Sequence, residues 1–132
     1  MSMVFVDISI ANEQPFAKEY QLKATITRRK LGTAVVVCLK DGKIMTREQY
    51  GQHCEEVHIA SIMIERKYRG RGLGSRLLRE IEKDVWASKG MQDIPITLTT
   101  GEWLDHFWTK NGYKQIDNDG TLCHYRKDYR CI

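Results

Sequence analysis

Gly70, Gly72 and Gly74 alternate with Arg71 and Leu73 in the run Arg69-Gly70-Arg71-Gly72-Leu73-Gly74-Ser75. An apolar stretch from Val57 to Ile64 leads into this run, and an amphipathic pattern leads out of it. A glycine-rich turn between a strand and a helix leaves several main-chain N–H groups without partners, and the helix N-terminus adds partial positive charge. The natural guest is a phosphate or pyrophosphate. Glycine suits the task because a Cβ would hold phosphate oxygens off the amides and restrict positive φ. Arg69 and Arg71 can add charge-assisted bonds. Two other phosphate motifs fail on spacing. A P-loop requires Gly-x-x-x-x-Gly-Lys-Ser/Thr, and no lysine-serine pair follows these glycines. A dinucleotide fingerprint requires Gly-x-Gly-x-x-Gly and an acidic residue about 20 positions on. A plain strand-to-helix turn needs one glycine, so three glycines with two arginines favour the anion reading.

The elements around the loop follow from hydrophobic periodicity. Val4, Val6, Ile8 and Ile10 alternate over Met3–Ile10 and predict a half-buried strand. Residues 12–19 are weakly patterned and predict a loop or one helical turn. Leu22, Ala24 and Ile26 alternate again, and Thr33 to Leu39 is the most strand-like run, closed by the turn signal Asp41-Gly42. Val57 to Ile64 is apolar on both faces, as an interior strand is. From Gly72, the positions Leu73, Leu77, Leu78, Ile81 and Val85 predict a helix ended by Lys89-Gly90. Ile94 to Thr99 is the next strand, followed by a short helix over 102–111. Two last strands lie near Tyr113–Ile116 and Thr121–Lys127. The order predicts an α/β (α+β) domain: a mixed, mostly antiparallel sheet of about six or seven strands with one parallel crossover, flanked by helices.

Bulk properties narrow the class. A chain of 132 residues predicts a single domain spanning 1–132, and 42% apolar with 29% charged residues is an ordinary globular balance. No apolar run approaches the roughly 20 residues that span a bilayer, so no membrane partner is expected. The first residues lack a basic region before an apolar one, which predicts a cytoplasmic location. Cys38, Cys54, Cys123 and Cys131 then read as reduced thiols, Cys38 and Cys123 inside strands. His53, Cys54 and His58 match no structural zinc spacing, and no metal is expected. The net charge of +4 is mild, with small clusters at 28–30 and 66–69.

The segment Ile62 to Gly74 resembles the acetyl-CoA signature of the GCN5-related N-acetyltransferases (GNAT), Arg/Gln-x-x-Gly-x-Gly/Ala. Arg69, Gly72 and Gly74 stand at its fixed positions, and Ser75 to Leu78 fit the helix that continues it. His106-Phe107-Trp108-Thr109-Lys110-Asn111-Gly112-Tyr113-Lys114 resembles the family's second block, Phe-Tyr-x-Lys-x-Gly-Phe. Together the two blocks span Val57 to Ile116 in the family's order.

The resemblance implies the acyl-CoA N-acyltransferase fold, with a V-shaped splay between the parallel strands ending near Ile64 and starting near Ile94. Pantetheine would lie in the V along the backbone of Ile62, Met63 and Ile64. One N–H there would polarise the thioester carbonyl, an effect typically worth about 3 kcal/mol. Amides from Arg69 through Gly70, Arg71, Gly72, Leu73 and Gly74 to Ser75 would hold the pyrophosphate. Acetyl-CoA is thus the implied co-substrate, and the implied activity is direct transfer of its acetyl group to an amine.

Transfer needs a base for the amine and an acid for the leaving thiolate. The family often carries a carboxylate or histidine on the strand before the loop, where Glu56 and then His58 are the candidates. A regular strand would put Glu56, His58, Ala60, Ile62 and Ile64 on one face. The reading of Glu55-Glu56 as a merely polar start to the strand stays open. The usual acid, a tyrosine after the phenylalanine of the second block, is replaced by Trp108, whose indole is no practical acid. Tyr113, His106, Tyr125 and an ordered water are the substitutes, and Tyr113 also fills the family's aromatic core position. Gly101 stands where the family often has an asparagine.

Members of the family usually build the acceptor pocket from two helices between the first strands, and 12–20 leaves room for one short helix at most. A shallow, open acceptor site is therefore expected. It would suit an amine-bearing partner such as a protein lysine, a chain terminus or a polyamine-like small molecule, acted on by a monomer or homodimer. Two rival readings are a CoA-binding module without catalysis, motivated by Trp108, and a nucleic-acid or protein-interaction domain using the basic clusters.

Overall fold

A computed structural model describes residues 6–14, 16–49, 52–88, 90–100 and 104–129. Expectations at Met3 to Phe5, Lys89, Gly101, Glu102 and Cys131 fall outside them. Eight strands and two α-helices lie within the described residues: β1 Val6–Gln14, β2 Ala17–Ala24, β3 Lys30–Lys40, β4 Lys43–Ile44, β5 Glu56–Ile64, α1 Leu73–Ala87, β6 Ile96–Thr100, α2 Asp105–Lys110, β7 Lys114–Asn118 and β8 Cys123–Lys127. The sheet order is β1-β2-β3-β5-β6-β8-β7, with β4 paired to β3. Among the described pairings only β5–β6 is parallel. The architecture is the expected one, with one strand more because the Asp41-Gly42 turn adds β4.

Residues 12–14 do not leave the sheet as a loop or helical turn. They prolong β1, with Glu13 opposite Lys18 and Asn12 opposite Glu19. The Lys18 ammonium lies 3.4 Å from the Glu13 carboxylate, and such opposite-charge cross-strand pairs favour continued pairing of a polar segment. No helix therefore separates β1 from β2.

Leu77, Leu78 and Ile81 of α1 are fully buried, together with Val36 of β3, Val57 and Ile59 of β5, and Ile96 and Leu98 of β6. Trp108 of α2 joins the same core, and Phe107 packs on Gly74, so both helices cover one face of the sheet. The other face carries no helix among the described residues. This one-sided layering turns Glu56, His58, Thr97 and Thr99 to the helix-free face, where Glu56 and His58 are half-buried and Thr97 is buried, while Val57, Ile59, Ile96 and Leu98 of the same strands face the helices.

Candidate functional site

β5 and β6 run paired only from Val57/Ile96 to Ile59/Leu98. Beyond that point β6 stays with β8, Thr99 opposite His124 and Thr100 opposite Cys123, while β5 stays with β3 from Ser61 to Ile64. The two strands part, and the V opens towards the glycine loop. A bulge on β5 accompanies the parting. Val36 faces Ile59 and Val35 faces Ser61, so Ala60 is an extra residue.

That bulge corrects the regular-strand expectation. Glu56 and His58 share the open face with exposed Ser61 and Met63. Ile62 and Ile64 are partly buried against the helix-side core. The five residues expected on one face are divided between two. The bulge also sorts the main chain. The Glu65 amide bonds the Leu31 carbonyl on β3, and alternation along an antiparallel ladder then turns the Met63 main chain to β3. The main-chain groups of Ile62 and Ile64 point into the V. One of them is taken, because Arg69 Nε donates to the Ile64 carbonyl at 2.9 Å.

The loop itself has the geometry of an anion cradle. After a single 3₁₀ turn at Arg66–Tyr68, Gly70 and Gly72 adopt φ of +80° and +76°, and Gly72 caps α1 in the left-handed conformation. A Cβ at either would meet no atom within 4 Å, so the space above the amides is open. Gly74 is different. Its φ is ordinary, but a Cβ would stand 3.3 Å from the Phe107 ring, so this glycine allows α2 to approach α1. The Arg69 amide is used internally, bonded to the Arg66 carbonyl at 3.3 Å. The amides of Gly70, Arg71, Gly72, Leu73, Gly74 and Ser75 have no acceptor among the described residues, and Arg76 is the first to make an i→i−4 bond, to the Gly72 carbonyl. No side chain among the described residues caps the N-terminus of α1. The two basic clusters converge here: the Arg29, Lys67 and Arg71 cations sit 5.7, 5.9 and 5.6 Å from the Tyr68 ring centre.

On the open face, Thr97 Oγ1 donates to Glu56 Oε2 at 2.7 Å and lies 3.0 Å from His58 Nδ1. Thr99 Oγ1 lies 2.8 Å from His124 Nδ1. The His58 imidazole is held below its ordinary range, first by burial and then by nearby His124, with Glu56 pulling the other way. Sequence reasoning alone does not point to Thr97, Thr99 or His124. The only trace of them there is the alternation of threonine with Ile96 and Leu98. Their juxtaposition comes from the register of β6 with β5 and β8.

The substitute acids are placed unfavourably. Tyr113 is 2% exposed and donates to Glu82 Oε2 at 2.9 Å; burial and the Glu82 charge push its hydroxyl far above the ordinary phenol range. Tyr125 is fully buried and donates to Asp105. Trp108 is buried between Phe107 and Tyr113 in edge-to-face contacts, with its indole N–H lacking a partner among the described residues. His106 lies exposed on α2. Trp103 lies outside the described residues. A separate cavity of about 510 Å³ opens at the far end of α1 near Phe16, Lys18, Cys38, Cys54 and Met91, away from the V.

The sequence model of the acetyltransferase (GNAT) domain matches residues 31–115. No curated protein sequence matches at a significant level. Solved structures share the fold. The GNAT domain of S. lividans PAT superposes with a TM-score of 0.69 at 13% identity, over 86% of this chain and 61% of that one. PaiA N-acetyltransferase from Thermoplasma acidophilum, solved in complex with coenzyme A, gives 0.65 at 20% identity, covering 86% and 62%. A GNAT-family acetyltransferase from Staphylococcus aureus Mu50 gives 0.64 at 14%, covering 86% and 68%.

Proposed function

The chain belongs to the GNAT acetyltransferases, whose co-substrate is acetyl-CoA, and from that premise we propose that it transfers the acetyl group directly to an amine presented at the open face of the sheet. The observation that carries the reading is the run of unoccupied amides from Gly70 to Ser75 beside the splay of β5 and β6. Main-chain donors and a helix N-terminus suit a diphosphate, and the cations gathered at Tyr68 add charge for a polyanionic carrier. The main-chain groups of Ile62 and the N–H of Ile64 face the V and suit an added, strand-like chain, the Ile64 carbonyl being held by Arg69. A donor fixed there stabilises the developing oxyanion.

Glu56 and His58 supply the proton chemistry. As the amine nitrogen bonds to the carbonyl carbon and the carbon–sulfur bond breaks, the amine proton passes to a base on this face. The thiol then leaves protonated from that base or from water. The acceptor is a protein lysine, a chain terminus or another amine able to reach a shallow surface, because β1 runs into β2 without a helix to wall the site.

The test is a thiol-release assay with acetyl-CoA over pooled amines, peptides and proteins, run beside thermal melts with coenzyme A. The wild type should gain melting temperature with coenzyme A. Gly72→Glu, which puts a side chain and a negative charge into the cradle, should lose that gain. A gain that survives the substitution, or no thiol release with any amine, rejects the reading.

A further inference from the structure

Two hydrogen bonds on the open face share one hydroxyl. Thr97 Oγ1 carries a single proton, and the Glu56 carboxylate 2.7 Å away can only accept it. The same oxygen then has lone pairs alone to offer His58 Nδ1 at 3.0 Å, so Nδ1 must carry a hydrogen. In the neutral ring this leaves Nε2 with its lone pair, and Nε2 has no partner among the described residues. We propose that Thr97 is a positioning residue that fixes His58 in the Nδ1–H tautomer, making Nε2 of His58 the base and leaving Glu56 to act through the threonine. This rests on the acyl-transfer reading above for its use, but the tautomer stands or falls by itself.

The division of labour follows from the bonding. Glu56 already accepts a proton from Thr97, and its charge is coupled through that hydroxyl to the imidazole. When Nε2 takes the amine proton, the imidazolium is held by the chain Nδ1–H···Oγ–H···carboxylate, each bond polarising the next. The groups facing His58 are consistent with a base that is neutral near pH 7. Glu56 on β5 is the anion. β6 presents Thr97, and β3 presents Val37 directly opposite. β8 presents His124 and, opposite Thr97, Arg126, whose guanidinium is engaged by Asp128 at 3.0 Å. Thr99 and His124 form a second threonine–imidazole pair, without a carboxylate bonded to its hydroxyl among the described residues. That pair is an internal control.

The experiment reads the imidazole directly. Long-range ¹H–¹⁵N spectra of the full chain, well above the His58 titration, should show Nδ1 protonated and Nε2 bare in the wild type. Thr97→Val keeps the shape without the hydroxyl and should move His58 towards the Nε2–H form common in free imidazole. Thr97→Ser should restore the wild-type tautomer, and Thr99→Val should leave His58 unmoved. In turnover, Thr97→Val should lower kcat about tenfold or more at unchanged KM for acetyl-CoA, with recovery in Thr97→Ser. An Nε2–H tautomer in the wild type overturns the proposal, as does equal behaviour of the valine and serine variants. If the tautomer is as stated but no amine is acetylated, the positioning role stands and the transferase reading fails.

Discussion

Asn111 Nδ2, at the end of α2, donates to Ser75 Oγ in the first turn of α1 at 3.1 Å and to the Phe107 carbonyl at 2.7 Å. One amide group thus ties the second sequence block to the anion cradle. Its loss frees the Ser75 hydroxyl and slackens the first turn, whose Leu73, Gly74 and Ser75 amides are the proposed diphosphate donors. Asn111→Ala should raise KM for acetyl-CoA several-fold with kcat little changed. The stability loss should be about 1 kcal/mol per hydrogen bond removed. Titration calorimetry with coenzyme A checks it, and an unaltered Kd would detach Asn111 from the cradle.

Gly32 is a buried glycine whose conformation is unremarkable and whose space is absent. A Cβ there would lie 2.6 Å from Ile64 Cδ1 and 2.7 Å from the Met63 carbonyl oxygen. The second contact is backbone, so relief requires β3 and β5 to separate at the place where β5 lines the V. Gly32→Ala should cost about 1–3 kcal/mol, as overpacking does, and should weaken coenzyme binding besides. Gly42→Ala is the contrast: φ is +75° but nothing lies within 4 Å, so coenzyme affinity should stay unchanged. Melting curves and coenzyme titrations on the pair separate crowding from backbone strain.

Local chemistry made the loop, α1 and the strongest strands legible in the sequence. Gly70 and Gly72 announce a left-handed turn, and Leu73, Leu77, Leu78, Ile81 and Val85 announce the buried stripe of a helix. Legibility ended where one element's meaning depends on another. The bulge at Ala60 is set by how β3 and β5 register, and nothing in Glu-Val-His-Ile-Ala-Ser marks it. Ile62 and Ile64 therefore face the helix side, whereas a regular strand would put them beside Glu56 and His58. The Glu56–Thr97–His58 chain joins residues about 40 positions apart and depends on the β5–β6 register. Polar residues 12–14 stay in β1 because Lys18 and Glu19 face them, a tertiary fact that overrides weak local preference.

Tyr113 belongs to a buried polar cluster. Glu82 accepts from the Tyr113 hydroxyl and from Lys127 Nζ, both at 2.9 Å, and Lys127 also donates to the Asn111 carbonyl. A phenol so committed does not protonate a leaving thiolate. Tyr113→Phe should therefore keep its acetyl-transfer rate and lose about 1 kcal/mol of stability. Lys127→Met, which strands the Glu82 carboxylate in the core, should cost more, about 3–5 kcal/mol. A large drop in kcat for Tyr113→Phe with an unchanged KM would restore this residue as the acid.

The charges around His58 oppose one another, which gives its titration a signed response. Burial and His124 hold the imidazole below its ordinary value of 6.5, and Glu56 raises it. Glu56→Gln removes the one upward influence and frees the Thr97 proton for Nδ1, so the midpoint should fall further. His124→Asn removes a downward influence, so the midpoint should rise. Because the folded value is depressed, the unfolded chain binds the proton more readily between the two values. The stability linked to His58 is thus complete above about pH 6.5 and is lost as pH falls through the folded midpoint. His58→Gln should flatten that part of the stability profile. Proton NMR titration of the His58 ring and urea melts across acid pH provide the two readings. Midpoints that move the same way in Glu56→Gln and His124→Asn would overturn the opposed signs, and a wild-type midpoint at or above 6.5 would show that Glu56 outweighs burial and His124.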